Sequence, residues 1–172
     1  HQMQHARWGA LLLVWLAAVP VAHAQDLNWH PFEAALAVAD STDRPVLVDV
    51  YAPWCGWCRK MKRDVYPSNR VRSCLADGFV LTRLNRDDTD TRHRYRGRRL
   101  DSKRLAQTLG AAGVPTVVLL ASDGERLTHL PGFIEADALR PVLAYVASGA
   151  YQRQTFEAFR AAGVSTASCR TE

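Results

Sequence analysis

Scarcity narrows this chain first. Its four cysteines among 172 residues are too few for a disulfide-built scaffold, so an apolar core must hold the fold. No run of apolar residues reaches the roughly 20 needed to cross a bilayer, the nearest approach being Trp8 to Val19. There is no internal repeat. Charge of one sign does not dominate either: the net charge is +5 with 23% charged and 9% aromatic residues, which excludes an intrinsically disordered chain. The length suits one domain with a sizeable core. A structural zinc site wants a second pair of Cys or His ligands at short spacing; Cys74 and Cys169 stand singly and do not supply it.

The N-terminal run has the parts of a cleavable leader. Arg7 precedes Trp8 to Val19, Pro20 breaks the run, and Ala22-His23-Ala24 puts small residues at the two positions that determine cleavage. Residues 1–24 are therefore expected to be a signal peptide, 25–163 a folded domain and 164–172 a mobile tail. An uncleaved anchor is the alternative reading. Gln25, not cysteine, follows the expected cut, which argues against a lipoprotein. The mature chain is expected outside the cytoplasm, with no stable membrane insertion after cleavage.

What is present centres on Trp54-Cys55-Gly56-Trp57-Cys58. Before it, Val46-Leu47-Val48-Asp49-Val50-Tyr51 is short, apolar and β-branched, as a buried strand requires. After it, good helix formers place Trp57, Met61 and Val65 four apart on one face. The two thiols thus fall at a strand-to-helix junction. A thiol of ordinary pKa, about 8.5, is only roughly 3% ionised at neutral pH, and the thiolate is the nucleophile. Unpaired N–H groups and the positive end of the helix dipole favour the anion. Cys55, nearer the helix start and open to solvent, is expected to attack; Cys58, one turn on, is expected to resolve the mixed disulfide. Metal ligation by the pair is the competing reading.

Further along, Pro31 opens an alanine-rich helix through Ala39, and Asp43-Arg44-Pro45 turns the chain into the strand. Ser68 is expected to cap a short helix running through Leu75 and ended by Gly78, with Phe79–Leu84 the next strand. From Arg92 to Arg104 the apolar pattern lapses among Arg92, Arg94, Arg96, Arg98, Arg99, Lys103 and Arg104. This reads as a solvated loop and helix face, or as a surface for an acidic partner; export argues against nucleic acid. Asp101 or Ser102 caps a helix ending at Gly110. Val114–Leu120 is a strand, Asp123-Gly124 a hairpin turn, and Arg126–Leu130 the return strand. Pro131-Gly132 leads to a helix through Ala147, where Pro141 demands a kink or a later start. Tyr151, Phe156 and Phe159 suggest a short terminal helix. This order implies an α/β fold, a central mixed sheet flanked by helices on both faces.

Three patterns in this order resemble the thioredoxin fold from about Asn28 to Tyr151: Trp54-Cys55-Gly56-Trp57-Cys58 as the redox motif, Val114-Pro115-Thr116 as the cis-proline loop, and Asp49 as the buried acid. The run Trp54 to Met61, the Arg-rich segment and the ending Tyr145 to Tyr151 are similar to periplasmic thioredoxin-related proteins of the SoxW type, with some relationship to the C-terminal domain of the transmembrane reductase DsbD. The resemblance implies Cys55, Cys58 and Asp49 as catalytic residues. It implies Trp54, Gly56, Trp57, Val114, Pro115, Thr116 and Gly132 as the surface that meets a substrate, no cofactor, and a periplasmic location. Protein dithiols and disulfides are the implied partners, with a membrane electron donor of the DsbD type. Asp49 should have a raised pKa if buried and would then shuttle a proton at Cys58; a place on the solvent face of its strand is the alternative. Arg83 stands where thioredoxins resemble one another in having a lysine, and a guanidinium reaching Asp49 would favour its ionised form. Tyr51 replaces a tryptophan and Trp57 the usual proline. Trp54 and Trp57 form an exposed rim or pack in the core. Pro115 without the resemblance simply begins an edge strand. Cys74 reads as a buried apolar residue, and its pairing with Cys169 stays open.

The function implied is an exported thiol:disulfide oxidoreductase working as a reductant. A binding module docking an acidic partner through the Arg-rich segment, and copper or zinc handling by the thiol pair, are the alternatives.

Overall fold

The computed structural model describes residues 26–163 and residue 169. The expected signal peptide, residues 1–24, and the tail apart from Cys169 lie outside the described residues. In chain order the elements are β1 (Trp29–His30), α1 (Phe32–Thr42), β2 (Val46–Tyr51), α2 (Gly56–Lys60), a π-helical turn (Met61–Val65), α3 (Arg72–Gly78) and β3 (Val80–Asn85). There follow β4 (Arg92–Tyr95), β5 (Arg98–Asp101), α4 (Ser102–Thr108), β6 (Thr116–Leu120), β7 (Arg126–Pro131), α5 (Ala136–Ala147) and α6 (Phe156–Ala161). Five strands form a mixed sheet in the order β1-β3-β2-β6-β7. The pairs β1–β3 and β2–β3 are parallel, while β6 runs antiparallel to both β2 and β7.

The central strands are buried on both faces, which is why they read as continuous apolar runs. Period-two alternation sorts them between two cores. Val46, Val48 and Val50 of β2, with Val118 and Leu120 of β6, face α1 and α4 through Phe32, Ala35, Leu105 and Leu109. Leu47, Val117 and Leu119 face the opposite layer of Met61, Val65, Leu75, Leu139 and Leu143. Asp49 lies in this second alternation, in parallel register with Arg83 of β3. Two short strands at the centre of a fully covered sheet therefore carry a carboxylate and a guanidinium side by side.

Several local expectations change. Ser68 does not cap α3: that helix starts at Arg72 with Val71 at its N-cap and no capping side chain. Ser68 instead accepts bonds at its carbonyl from the N–H groups of Val71 (3.2 Å) and Arg72 (2.9 Å). The Arg-rich stretch is not a loop. It is an antiparallel hairpin, β4–β5, whose two-residue turn places Arg96 and Gly97 at positive φ, 48° and 78°, as the hairpin twist prefers. Alternation hides there under charge: Tyr95 and Leu100 point inward while the arginines point out. Asp101, of the two proposed caps, is the one used, accepting from the N–H of Arg104 at 2.8 Å. α5 begins at Ala136 rather than directly after Gly132, which leaves Pro141 in its second turn. Cys169 is bonded to Cys74 of α3, with their Cα atoms 4.9 Å apart, pinning that point of the tail to the second core.

Candidate active site

β2 delivers the chain into a turn, and α2 starts immediately after it. Cys55 is the N-cap of α2, and its Sγ accepts a hydrogen bond from the N–H of Cys58 at 3.0 Å. That N–H is one of the orphan donors every helix start carries, here aimed at sulfur. The same contact would stabilise a thiolate on Cys55 once the bridge is opened. Cys55 and Cys58 are joined as a disulfide, Cα atoms 5.2 Å apart. Cys55 is 4% and Cys58 1% exposed. Cys55 is thus buried, rather than open to solvent as expected, because Ala52, Tyr51 and Val114 pack around the pair; as a residue it is slightly more exposed than Cys58. Gly56, the first residue of α2, meets no steric demand for glycine: a Cβ there would touch only the Arg59 guanidinium at 3.7 Å.

An apolar rim stands beside the sulfurs. Trp54 is 65% and Trp57 58% exposed, unusual for indoles in a folded domain. Trp54 donates its Nε1–H to Asp87 at 2.7 Å. Trp57 packs on Phe133 with ring centroids 5.1 Å apart, and Lys60 Nζ lies over both rings at 5.4 and 5.0 Å. The Val114–Pro115 peptide is cis. Thr116 donates its hydroxyl to the Gly113 carbonyl at 2.8 Å, and the N–H of Gly132 donates to the Pro115 carbonyl at 2.8 Å. Val114, Pro115, Thr116 and Gly132 therefore form one bonded corner at the start of β6, and Val114 brings it against the cysteines.

In the middle of β2, Asp49 is fully buried. Its Oδ1 accepts from the Tyr66 hydroxyl at 2.7 Å and its Oδ2 from Arg83 Nε at 2.8 Å. Burial raises the Asp49 pKa above the usual carboxylate value, and the opposing charge of Arg83 limits the rise. Burial and then the charge of Asp49 push the Tyr66 phenol well up, so Tyr66 is a donor. Arg83 has no acceptor to offer. Arg83 and Tyr66 thus each donate to one oxygen of Asp49 and favour its ionised form, against the burial that favours the proton. The Arg83 guanidinium is also stacked on Tyr51, 4.0 Å from the ring centroid. Among the described residues no group of three or more His, Cys, Asp and Glu side chains comes together as a metal site.

Three residues of this site have no distinguishing signal in the sequence. Tyr66 reaches Asp49 because the π-helical turn before it, closed by the bond from Tyr66 N–H to the Met61 carbonyl at 3.1 Å, shifts the helix register. Phe133 and Asp87 come from loops after β7 and β3. The aromatic character of Phe133 beside Gly132 was the only hint available.

A family model described as a thioredoxin-like domain matches residues 32–147. The thiol:disulfide interchange protein DsbD of Cronobacter sakazakii is 28% identical over 134 residues, 72% of this chain and 21% of that protein. DsbD of Ralstonia nicotianae is 43% identical over 49 residues, 28% of this chain and 8% of that protein. The chain thus spans only 8% to 21% of the length of these curated relatives. A thioredoxin-fold protein from Helicobacter pylori superposes with a TM-score of 0.61 at 20% identity, covering 72% of this chain and 81% of that one, a likeness of fold. The chain belongs to the thioredoxin-like domain family, with Cys55 and Cys58 as its Cys-x-x-Cys pair, joined here as a disulfide.

Proposed function

We propose that the protein is an exported, periplasmic reductant of protein disulfides, recharged by a membrane electron donor of the DsbD type. The observation that carries the proposal is the sulfur of Cys55 held at a helix start by the Cys58 N–H, between exposed indoles. In the reduced protein, Cys55 thiolate attacks one sulfur of a substrate disulfide. The substrate bond breaks, one substrate thiolate leaves, and a Cys55–substrate mixed disulfide forms. Cys58 thiolate then attacks Cys55 Sγ, which forms the bridge seen here and releases the second substrate thiolate. Two electrons pass to the substrate, and a donor dithiol restores the enzyme by the reverse exchange.

In this reading Trp54 and Trp57, on either side of Gly56 in the chain, cover the apolar flank of the substrate chain. The backbone at Val114, Pro115 and Thr116, braced by Gly132, pairs with the substrate as an added strand. Asp49 is the acid–base partner of Cys58, with its proton governed by Tyr66 and Arg83. Export rests on the leader-like residues 1–24, and the SoxW-type affinity on Trp54 to Met61, the Arg-rich segment and Tyr145 to Tyr151. The likeness to DsbD supports the choice of donor. Insulin reduction with a dithiol donor tests the exchange: wild type precipitates insulin chains and Cys55→Ser does not. Equal activity of the two sinks the proposal. The reduction potential tests direction, with a value near roughly −270 mV expected and one near −120 mV indicating an oxidant.

A further inference from the structure

The β4–β5 hairpin carries more positive charge than its own fold can use. Register sets Arg94 directly across from Arg99, and like charges opposite one another destabilise a strand pair. Among the described residues, Arg92, Arg94, Arg96, Arg98, Arg99 and Lys103 enter no ion pair. The nearby carboxylates are engaged elsewhere. Asp88 accepts from the N–H groups of Asp90 and Thr91 at 2.9 and 3.2 Å, and Asp101 caps α4. Asp87 holds Trp54.

This charge is on a firm mount. Phe32 meets His93 and Tyr95 edge-on, with centroids 5.8 and 5.9 Å apart. The Tyr95 hydroxyl donates to the Gly124 carbonyl at 2.8 Å, and Glu33 accepts from the Arg94 N–H. A docked partner would therefore pay little to order the hairpin. The mount is also joined to the active site. An open groove of about 540 Å³ runs between the β3–β4 loop and α4, where Arg86, Arg92 and Lys103 are balanced by the carboxylates of Asp87, Asp88 and Asp101, so the charge surplus lies on the hairpin face beside it. Its near end is Asp87, which grips the rim residue Trp54, and Arg86 bonds the Ala112 carbonyl just before the cis-proline corner at 3.3 Å.

We propose that the arginine face of the hairpin, at the mouth of this groove, docks an acidic polypeptide segment flanking the reacting cysteines of the protein partner. The inference rests on the oxidoreductase reading and names the partner class for that same site. Because the groove opens beside Trp54, the anionic segment arrives attached to the molecule that exchanges disulfides. A flat membrane surface has no reason to share that opening.

The test uses the full-length reduced enzyme in single turnover. Two synthetic peptides carry the same intramolecular disulfide, followed by four glutamates in one and four glutamines in the other. Wild type is expected to react about tenfold faster with the glutamate peptide at low salt. The preference should collapse at 0.5 M salt, where screening shortens the reach of charge to a few ångström. Arg94→Glu/Arg99→Glu should abolish it. Arg94→Glu alone sets a carboxylate opposite Arg99, so it should raise the melting temperature while lowering the preference, opposite signs that a purely structural role cannot produce. Equal rates on both peptides, or a preference that survives the double substitution, overturn the docking inference alone. Failure to reduce the glutamine peptide overturns the oxidoreductase reading and this one with it. Cosedimentation with vesicles of 30% phosphatidylglycerol in phosphatidylcholine, lost in the double variant and without any glutamate preference, gives the face to a membrane and also overturns it.

Discussion

Replacing Arg83 with glutamine should destabilise the fold by an amount that depends strongly on pH. Asp49 is fully buried and its Oδ2 has Arg83 as donor at 2.8 Å. In the wild type, burial raises the Asp49 pKa, so the folded state holds its proton to higher pH than the unfolded chain does. The stability from this group is therefore greatest at low pH and is lost as pH rises through the folded value. Removing Arg83 takes away the charge that limits the rise. The window then extends upward, and the loss at neutral and alkaline pH deepens. Breaking a buried ion pair costs about 3–5 kcal/mol; with Arg83 itself 19% exposed, the lower end, about 3 kcal/mol at pH 8, is expected. At pH 5 a larger share of Asp49 is protonated than at pH 8 and needs the cation less, so the loss should shrink toward about 1 kcal/mol, the worth of a hydrogen bond. Urea unfolding with the Cys55–Cys58 bridge intact measures both without interference from thiol titration. The same loss at both pH values, or a larger one at pH 5, would refute the reasoning.

Tyr66→Phe leaves a buried carboxylate oxygen without its donor and should cost about 1–3 kcal/mol, read as a drop in Tm with unchanged secondary structure by circular dichroism. Cys169→Ser opens a loop spanning 95 residues and should cost about 4.7 kcal/mol in the chain-entropy account; a denaturant midpoint that does not move under non-reducing conditions counts against the bridge. Trp57→Ala should raise KM for insulin several-fold while changing stability by less than about 1.5 kcal/mol, since the lost contact is one exposed ring pair. An unchanged KM would remove Trp57 from the substrate surface. Cys58→Ser should accumulate a covalent Cys55–substrate adduct on non-reducing gels, and no adduct would mean that Cys55 is not the attacking sulfur.

The sheet's centre was legible because β2, β3 and β6 announce burial with β-branched runs, and the β6–β7 turn announces itself with Asp123-Gly124. The cysteine pair was legible through its place at the end of one such run. Other features escaped for separate physical reasons. β1 has two residues and no pattern to detect. The β4–β5 hairpin has its alternation masked by arginines on the exposed face, although Arg96-Gly97 is a two-residue turn of the expected length. The partnership of Asp49 with Arg83 was anticipated, but Tyr66 was not, because an ordinary helical period from Met61 and Val65 gives it no inward heading. The Cys74–Cys169 connection joins residues whose proximity only the folded chain creates.

That single wide turn at Met61–Val65 takes up one residue more than an ordinary helical turn. Each residue of an α-helix advances about 100° around the axis, so the inserted register step aims Tyr66 at Asp49 while leaving Cys58, upstream, where the helix start put it. Deleting one residue between Met61 and Tyr66 would let the same Tyr66 N–H close on the Met61 carbonyl as an ordinary α-helical bond, with the phenol still in line with the acid. Mutational drift along this stretch is thus free to shed that one extra position and keep the phenol on the acid, whereas a further insertion has no spare turn left to absorb it.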